Sequence, residues 1–342
     1  MNVVYYSSDF FSEMCGVSIA SLCEHNRDAN CISFYIIEDQ ISQKSKTRIE
    51  NIALKYKRDL FFIRMPSQVE LYPDVIVNLG RTYARMALGD LLPSHIDKIL
   101  SLDSDTLVLD TLTEMYETSF EPHEYVAGVY DCVGSAIQKG VLNASDKLQY
   151  CNAGMYLIDM NKWRSENIGT QLLNAVLENK EGKKPIYFLE QDIMNLCFQG
   201  HIKLLHPRYN LLTSIALFSY TETIYMKKPV SYYNENYYNT AKNTPTLIHA
   251  TTCFFVKKRM WVRKSDHPYA PTYQRYRDKT PWREDPQIPD KRKLVKRIYA
   301  QFWHCMPRNC AIKVASFAIN RARPAYARIT AKINHPTVAN NQ

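Results

Sequence analysis

Glycine is scarce in this chain, ten residues in 342, and none of them builds a G-x-G-x-x-G turn or a G-x-x-x-x-G-K-[ST] loop. A glycine-rich backbone cradle for phosphate is therefore excluded, and a diphosphate bound here needs positive charge from another source. Long apolar runs are missing as well. No stretch of about 18 uncharged apolar residues occurs, which excludes a membrane-spanning helix. The nine cysteines (Cys15, Cys23, Cys31, Cys132, Cys151, Cys197, Cys253, Cys305 and Cys310) contain no C-x-x-C pair, so a zinc knuckle or a thioredoxin-like motif has no spacing to support it. They read as buried, reduced thiols of a cytosolic protein. Met1–Tyr6 enters a strand without the charged and apolar segments of a secretion signal. Fixed-period repeats and low-complexity runs are absent too.

Acid is missing from one region only. Residues 291–342 carry eleven Lys and Arg and no Asp or Glu, which leaves 32 basic against 34 acidic residues in positions 1–290. The net charge of +9 thus belongs to the tail and the body is near neutral, which argues against nucleic acid as a partner.

What is present is a globular composition, 46% hydrophobic and 12% aromatic, long enough for a large buried core. Val3–Ser8, Cys31–Ile37, Leu60–Arg64 and Ile96–Leu102 read as strands. Residues 14–25, a segment from a Ser42 cap to about Lys57, and Asn78–Leu92 show helical spacing. Such alternation predicts a mainly parallel, doubly wound α/β sheet. Ligands bind such sheets outside the carboxyl ends of the strands, where Asp9 and Asp103–Asp105 fall.

Asp103-Ser104-Asp105 follows the apolar run Ile99–Leu102. Two carboxylates at i and i+2 can converge on a hard divalent cation, which takes oxygen ligands and keeps room for phosphate oxygens. The same tripeptide is also a common solvated turn. His249 follows the apolar run Pro245–Ile248 and is a possible third ligand, although a lone His is more often structural.

Several segments in this order resemble family 8 of the retaining glycosyltransferases, most closely the bacterial lipopolysaccharide and lipo-oligosaccharide galactosyl- and glucosyltransferases. They are Ser8-Asp9, Thr82-Tyr83-Ala84-Arg85, Leu102-Asp103-Ser104-Asp105, Cys151–Asp159 with Lys162-Trp163, Glu190–Asn195, and His249. The resemblance spans roughly residues 2–262. It implies a single Rossmann-like nucleotide-sugar-binding domain of glycosyltransferase A type over residues 1–265. A proline-punctuated linker (Pro268, Pro271, Pro281, Pro286, Pro289) and a basic helical tail would fill 266–342. Asp103, Asp105 and His249 would hold Mn²⁺ or Mg²⁺ against a UDP diphosphate. Ser8, Asp9, Asn78 and Ser104 would line the nucleotide site. Arg85, Asp103, Asn152, Ala153, Gly154, Glu190 and Gln191 would surround the donor sugar, with Asp131, Glu190 and Gln191 nearest the chemistry. Taken alone, Arg85 reads as a surface charge or a helix-end ion pair, Asn152–Gly154 as a turn, and Gln191-Asp192 as the cap of a helix beginning near Ile193.

One departure from the family pattern stands out. Thr252 occupies the place of a glycine three residues after His249, and the segment to Trp261 is about four residues long in excess. Lys258 is taken as the diphosphate cation, with Lys257 and Arg259 as alternatives.

The implied activity is transfer of galactose or glucose from a UDP-sugar to a hydroxyl of a lipid-linked glycan, with retention and front-face attack. A non-catalytic UDP-sugar-binding protein, or a transferase acting on a soluble glycan, is the competing reading. In the tail, Leu294, Val295, Ile298, Tyr299 and Phe302 make one face of an amphipathic helix with basic flanks, and Ala311–Ala322 repeats the theme. Residues 291–333 are thus expected to meet an anionic membrane surface, placing the protein peripherally on the cytoplasmic face of the membrane. A helix packed on the body is the bland alternative. Thr280-Pro281-Trp282-Arg283 also resembles the C-terminal extension of lipopolysaccharide-core members of the family.

Overall fold

A computed structural model describes residues 1–72, 83–142, 149–180, 187–188, 190–256 and 258–326. Its centre is a seven-stranded sheet of order β3-β2-β1-β4-β7-β6-β8. The strands are β1 (Asn2–Ser8), β2 (Ser33–Asp39), β3 (Asp59–Arg64), β4 (Lys98–Asp103), β6 (Val126–Tyr130), β7 (Cys151–Asp159) and β8 (Ile202–Leu204). All but β7 run in one direction, so the fold is the mainly parallel α/β sheet expected. A second sheet joins β5 (Thr106–Val108), β9 (Leu211–Leu212) and β10 (Leu247–His249) in the order β5-β10-β9.

The strand sequences are apolar almost throughout because both sheet faces are covered. Side chains alternate between the faces. Val3 and Tyr5 of β1 join one buried cluster with Leu100 and Leu102 of β4, whereas Val4 and Ile99 join the cluster on the other face. Helices α1 (Ser12–His25) and α2 (Gln43–Lys55) connect the first three strands. Ser42 caps α2 by accepting the Ser45 N–H at 3.3 Å. The helix expected over Asn78–Leu92 is seen only in part, as the short turns Tyr83–Met86 and Leu88–Leu91; Asn78 and Thr82 lie outside the described residues.

The C-terminal region is packed on the body. The boundary at 265/266 does not coincide with a break in packing. Tyr273, Tyr276 and Trp282 are buried in the two clusters that also bury α1. Gly16 makes this possible, since a Cβ there would stand 2.5 Å from Trp282 Cζ3. Arg277, only 2% exposed, donates from Nε to Glu13 Oε1 at 3.0 Å, and the Tyr273 hydroxyl donates to the same oxygen at 3.1 Å. The prolines therefore punctuate a folded extension rather than a free linker.

The amphipathic helix forms as Leu294–Cys305. Ala300 and Trp303 are buried against the body. The broader apolar stripe of Leu294, Val295, Ile298, Tyr299 and Phe302 is exposed. A second helix, Arg308–Phe317, runs into a π-helical turn, Ala318–Ala322. Among the described residues no helix is long and apolar enough to cross a membrane.

Candidate functional site

Parallel pairing brings the carboxyl ends of β1, β2 and β4 to one edge, with Ser8 opposite Asp39 and Tyr6 opposite Asp103. Beyond Asp103 the chain turns through Ser104-Asp105 into β5. This turn is anchored. Ser104 donates its hydroxyl to the Tyr6 carbonyl at 2.9 Å, and Thr106 Oγ1 donates to the Asp103 carbonyl at 2.9 Å. Thr106, Ser18 and Tyr5 continue as a chain of hydroxyl contacts, each 2.9 Å, into the core. A free solvated turn would have none of this.

His249 reaches the turn through the second sheet. Antiparallel pairing of β10 with β5 sets His249 opposite Thr106. Its Nε2 lies 3.2 Å from Asp105 Oδ1 and 3.6 Å from Asp103 Oδ2. One ligand atom from each of the three residues falls within 4.8 Å of the others. The other ring nitrogen is 3.0 Å from Asn152 Oδ1. That oxygen also accepts from the Gly154 N–H at 3.0 Å and from Asn210 Nδ2 at 3.0 Å, so its identity as an acceptor is fixed by a backbone donor. His249 Nδ1 must then carry hydrogen, and Nε2 is the nitrogen turned to the carboxylates. A neighbour that fixes the tautomer is what orients a metal-binding imidazole. Gly154 has a second duty. A Cβ at this position would overlap the His249 ring atoms Cε1 and Nδ1, so only glycine lets the ring lie here.

Burial opposes charge on His249, but Asp105 and Asp103 outweigh it and raise the imidazole's pKa. Burial likewise opposes ionisation of Asp105, and His249 and Arg259 more than offset it, holding the carboxyl below its ordinary range. Two carboxylates and one correctly tautomeric imidazole are a donor set that fits a hard or borderline divalent cation.

Arg85 is neither a surface charge nor a helix-end pair. It is 6% exposed, donates to Asp103 Oδ1 and the Ala153 carbonyl, each at 2.5 Å, pairs with Glu190 at 3.0 Å, and stacks over the Tyr6 ring at 4.9 Å. Burial raises the Glu190 pKa, and Arg85 opposes that rise. Gln191 is saturated. Its Oε1 accepts from Asn152 Nδ2 (3.1 Å) and the Ala153 N–H (3.0 Å), while Nε2 donates to Asp131 Oδ2 (3.1 Å) and to the Tyr150 hydroxyl (3.2 Å). Asn152 Nδ2 also donates to Asp131 Oδ2 at 3.1 Å. The helix holding these residues starts at Glu190, not near Ile193. Within it Asp192 accepts the Tyr187 and Phe188 N–H groups at 2.5 and 2.8 Å, and Asn195 clamps both backbone groups of Cys151. The structure thus joins Arg85, Asp103, Asp105, Asp131, Asn152, Ala153, Gly154, Glu190, Gln191 and His249 in one connected, largely buried network.

Beside it lies a crevice of about 260 Å³ lined by Ser8, Ile37, Asp39, Met65, Asp103 and Ser104, among others. Asp9 is not in its wall. The Asp9 carboxylate accepts from the Ser42 N–H (3.0 Å) and hydroxyl (2.7 Å), which ties down the start of α2. Lys258 is also directed elsewhere, its Nζ donating to the carbonyls of Arg263 (3.3 Å) and Lys264 (2.9 Å). The cation at the carboxylates is Arg259, whose Nη1 donates to Asp105 Oδ2 at 3.1 Å. Lys257 lies outside the described residues. Sequence reasoning missed Asp39, Tyr150 and Asn210. An acid ending β2 was a usable signal for Asp39; Tyr150 and Asn210 belong to no local pattern.

The mainly parallel sheet thus carries an Asp-x-Asp turn and a tautomer-fixed His at the edge where its strands end. Residues 2–252 match Glycosyl transferase family 8, and the chain belongs to that family. It is 25% identical over 286 residues to general stress protein A of Bacillus subtilis, covering 82% of this chain and 94% of that one. It is also 25% identical over 304 residues to a lipopolysaccharide 1,2-glucosyltransferase of Escherichia coli, covering 88% and 84%. Among solved structures it shares its fold with the galactosyltransferase LgtC in complex with donor and acceptor sugar analogs. The TM-score there is 0.65 at 21% identity, over 83% of this chain and 99% of LgtC.

Proposed function

We propose that this glycosyltransferase moves galactose or glucose from a UDP-sugar to a hydroxyl of a lipopolysaccharide-type, lipid-linked glycan, with retention at the anomeric carbon. The observation that carries the reading is the Asp103–Asp105–His249 cluster set between the crevice and the Arg85–Glu190–Gln191–Asp131 network. Relatives named as lipopolysaccharide glucosyl- and galactosyltransferases support the acceptor class.

In this reading Ser8 and Ser104 face the nucleotide from the crevice wall, with Asp39 beside them. Asp103, Asp105 and His249 hold a divalent ion, Mn²⁺ or Mg²⁺. When bound, that ion supplies neutralising charge to the leaving diphosphate. Arg259 adds a second positive charge at the same end, taking the role first given to Lys258. Arg85 fixes Asp103 and Glu190 relative to the donor sugar without itself being free to move. Asp131, Asn152 and the Ala153–Gly154 backbone present the polar rim that orients the sugar hydroxyls.

No free carboxylate stands at Gln191, and its amide is consumed by four neighbours, so it positions rather than attacks. Glu190 is committed to Arg85. Asp131 likewise accepts from Asn152 and Gln191, so among the described residues the carboxylates near the site are engaged, and front-face substitution is favoured over a covalent glycosyl intermediate. The bond from the anomeric carbon to the diphosphate oxygen breaks as the acceptor oxygen bonds on the same face, and the acceptor's proton passes to the departing phosphate oxygen. Stabilisation of charge where it develops does the rest.

The exposed apolar side chains of Leu294, Val295, Ile298 and Phe302, with Arg297 among them, suit a helix lying in an anionic bilayer surface. In this reading the enzyme works peripherally, on the inner face of the cytoplasmic membrane. Substituting Ile298→Asp together with Phe302→Asp is expected to weaken co-sedimentation with phosphatidylglycerol vesicles at least ~10-fold, because each side chain loses ~1.5–3 kcal/mol of burial. Unchanged sedimentation would remove the membrane role.

The direct test of the enzyme reading is UDP release from a panel of UDP-sugars with several divalent ions. Release from UDP-galactose or UDP-glucose that requires the added ion is expected. Silence across the whole panel would favour a non-catalytic binding protein.

A further inference from the structure

We infer that the groove between residues 251–256 and 258–262 and the helix Leu294–Cys305 binds phosphate carried on the acceptor glycan. This rests on the transferase reading above and specifies its substrate class. The groove holds about 750 Å³, a volume typical of ligand sites. Six cationic side chains line it against one carboxylate, that of Asp290. The carboxylate is already occupied, since Arg292 donates to it from Nε and Nη2 at 2.9 and 2.8 Å. Lys258 and Arg259 are engaged as described. Lys291, Lys293 and Lys296 have no ion-pair partner among the described residues. Three ammonium groups around one concavity repel each other and raise the local potential, a cost that an anionic ligand relieves.

A second observation points the same way. The helix Leu294–Cys305 begins at this groove with Lys293 as N-cap, with no side-chain cap and no acid in its first turn. Its first N–H groups thus lack side-chain acceptors, and a twelve-residue helix adds the positive end of its dipole. The remaining wall includes the aromatic rings of Phe10, Phe254, Trp261 and Tyr299, which offer flat apolar surface to a sugar ring.

The groove also adjoins the chemistry. Arg259 lines it while donating to Asp105, and Phe10 lines it two residues after Ser8, which lines the crevice. The donor's diphosphate is provided for by the cluster and Arg259. The three lysines belong to the extension and do not line the crevice, so they serve a different anion on a molecule reaching the same centre.

The test is calorimetric titration of the full chain with deacylated lipopolysaccharide-core oligosaccharide, before and after phosphatase treatment. The phosphorylated form is expected to bind at least ~10-fold tighter, the scale of one or two charge-assisted hydrogen bonds. That preference should fall below ~3-fold in the Lys291→Ala/Lys293→Ala/Lys296→Ala variant, whose melting temperature should match the wild type because the three side chains are solvent-facing. Equal affinity of the wild type for the two forms overturns the inference. So does a triple variant that keeps the full preference, or one that keeps it while losing sedimentation with phosphatidylglycerol vesicles, which would give the lysines to the bilayer. UDP release by the same wild-type preparation is read separately. Its failure would sink the transferase reading without touching the binding result.

Discussion

Asp105→Asn lowers ion-dependent UDP release by at least ~10²-fold, the order expected when a group that stabilises developing charge is lost, while the protein stays folded. Asp105 bonds to the cluster from two sides, facing His249 with Oδ1 and Arg259 with Oδ2. Replacing one oxygen by an amide removes negative charge from the cation's donor set and leaves a donor facing either the imidazole or the guanidinium. The backbone role of the residue is untouched, since its carbonyl still accepts the Ala250 N–H. The same assay in the wild type should weaken as pH falls. The raised pKa of His249 means that Nε2 holds a proton to higher pH than a free imidazole, and a bound ion must displace it, so ion affinity climbs as that proton is lost. Ion-independent release by Asp105→Asn at the wild-type rate would remove the metal assignment.

Gly154→Ala is expected to be nearly as damaging, although it adds only one uncharged methyl group. The new Cβ falls within the His249 ring, and Gly154 lies in the middle of buried β7, so the strand cannot retreat. The imidazole must swing away, losing its contact with Asn152 and its aim at Asp103 and Asp105. Loss of ion affinity by ~10–100-fold follows from disturbing a ligand's orienting partner. Titration of the variant with Mn²⁺, followed by electron paramagnetic resonance of the free ion, reads this directly. Wild-type affinity would mean that His249 is not a ligand.

Much of this arrangement was legible in the chain. Strand positions followed from apolar runs, and the Asp-x-Asp turn was findable because it ends one. Family order then picked out Arg85, Asn152, Glu190 and Gln191, which local pattern alone left ambiguous. What stayed hidden depends on three-dimensional neighbours. Asp9 looks like a ligand at a strand end, yet Ser42, 33 residues on, captures it. Lys258 and Arg259 are equivalent cations in sequence, and only the turn geometry sends one to carbonyls and the other to Asp105. Asn210 sits in an unremarkable short turn and matters because its amide meets Asn152, 58 residues earlier. The prolines after residue 265 imitate a linker, and burial of Trp282 against Gly16 has no local signal.

That last contact has a wider consequence. Glu13 lies five residues after Ser8, and its buried carboxylate is neutralised from residue 277. Cutting the chain at 265 would strand that charge, at ~3–5 kcal/mol for a broken buried pair, and would uncover the flank of α1. The flank of the crevice and the C-terminal extension are therefore expected to melt together. The extension cannot be traded between relatives as an independent cassette without carrying a matching first helix.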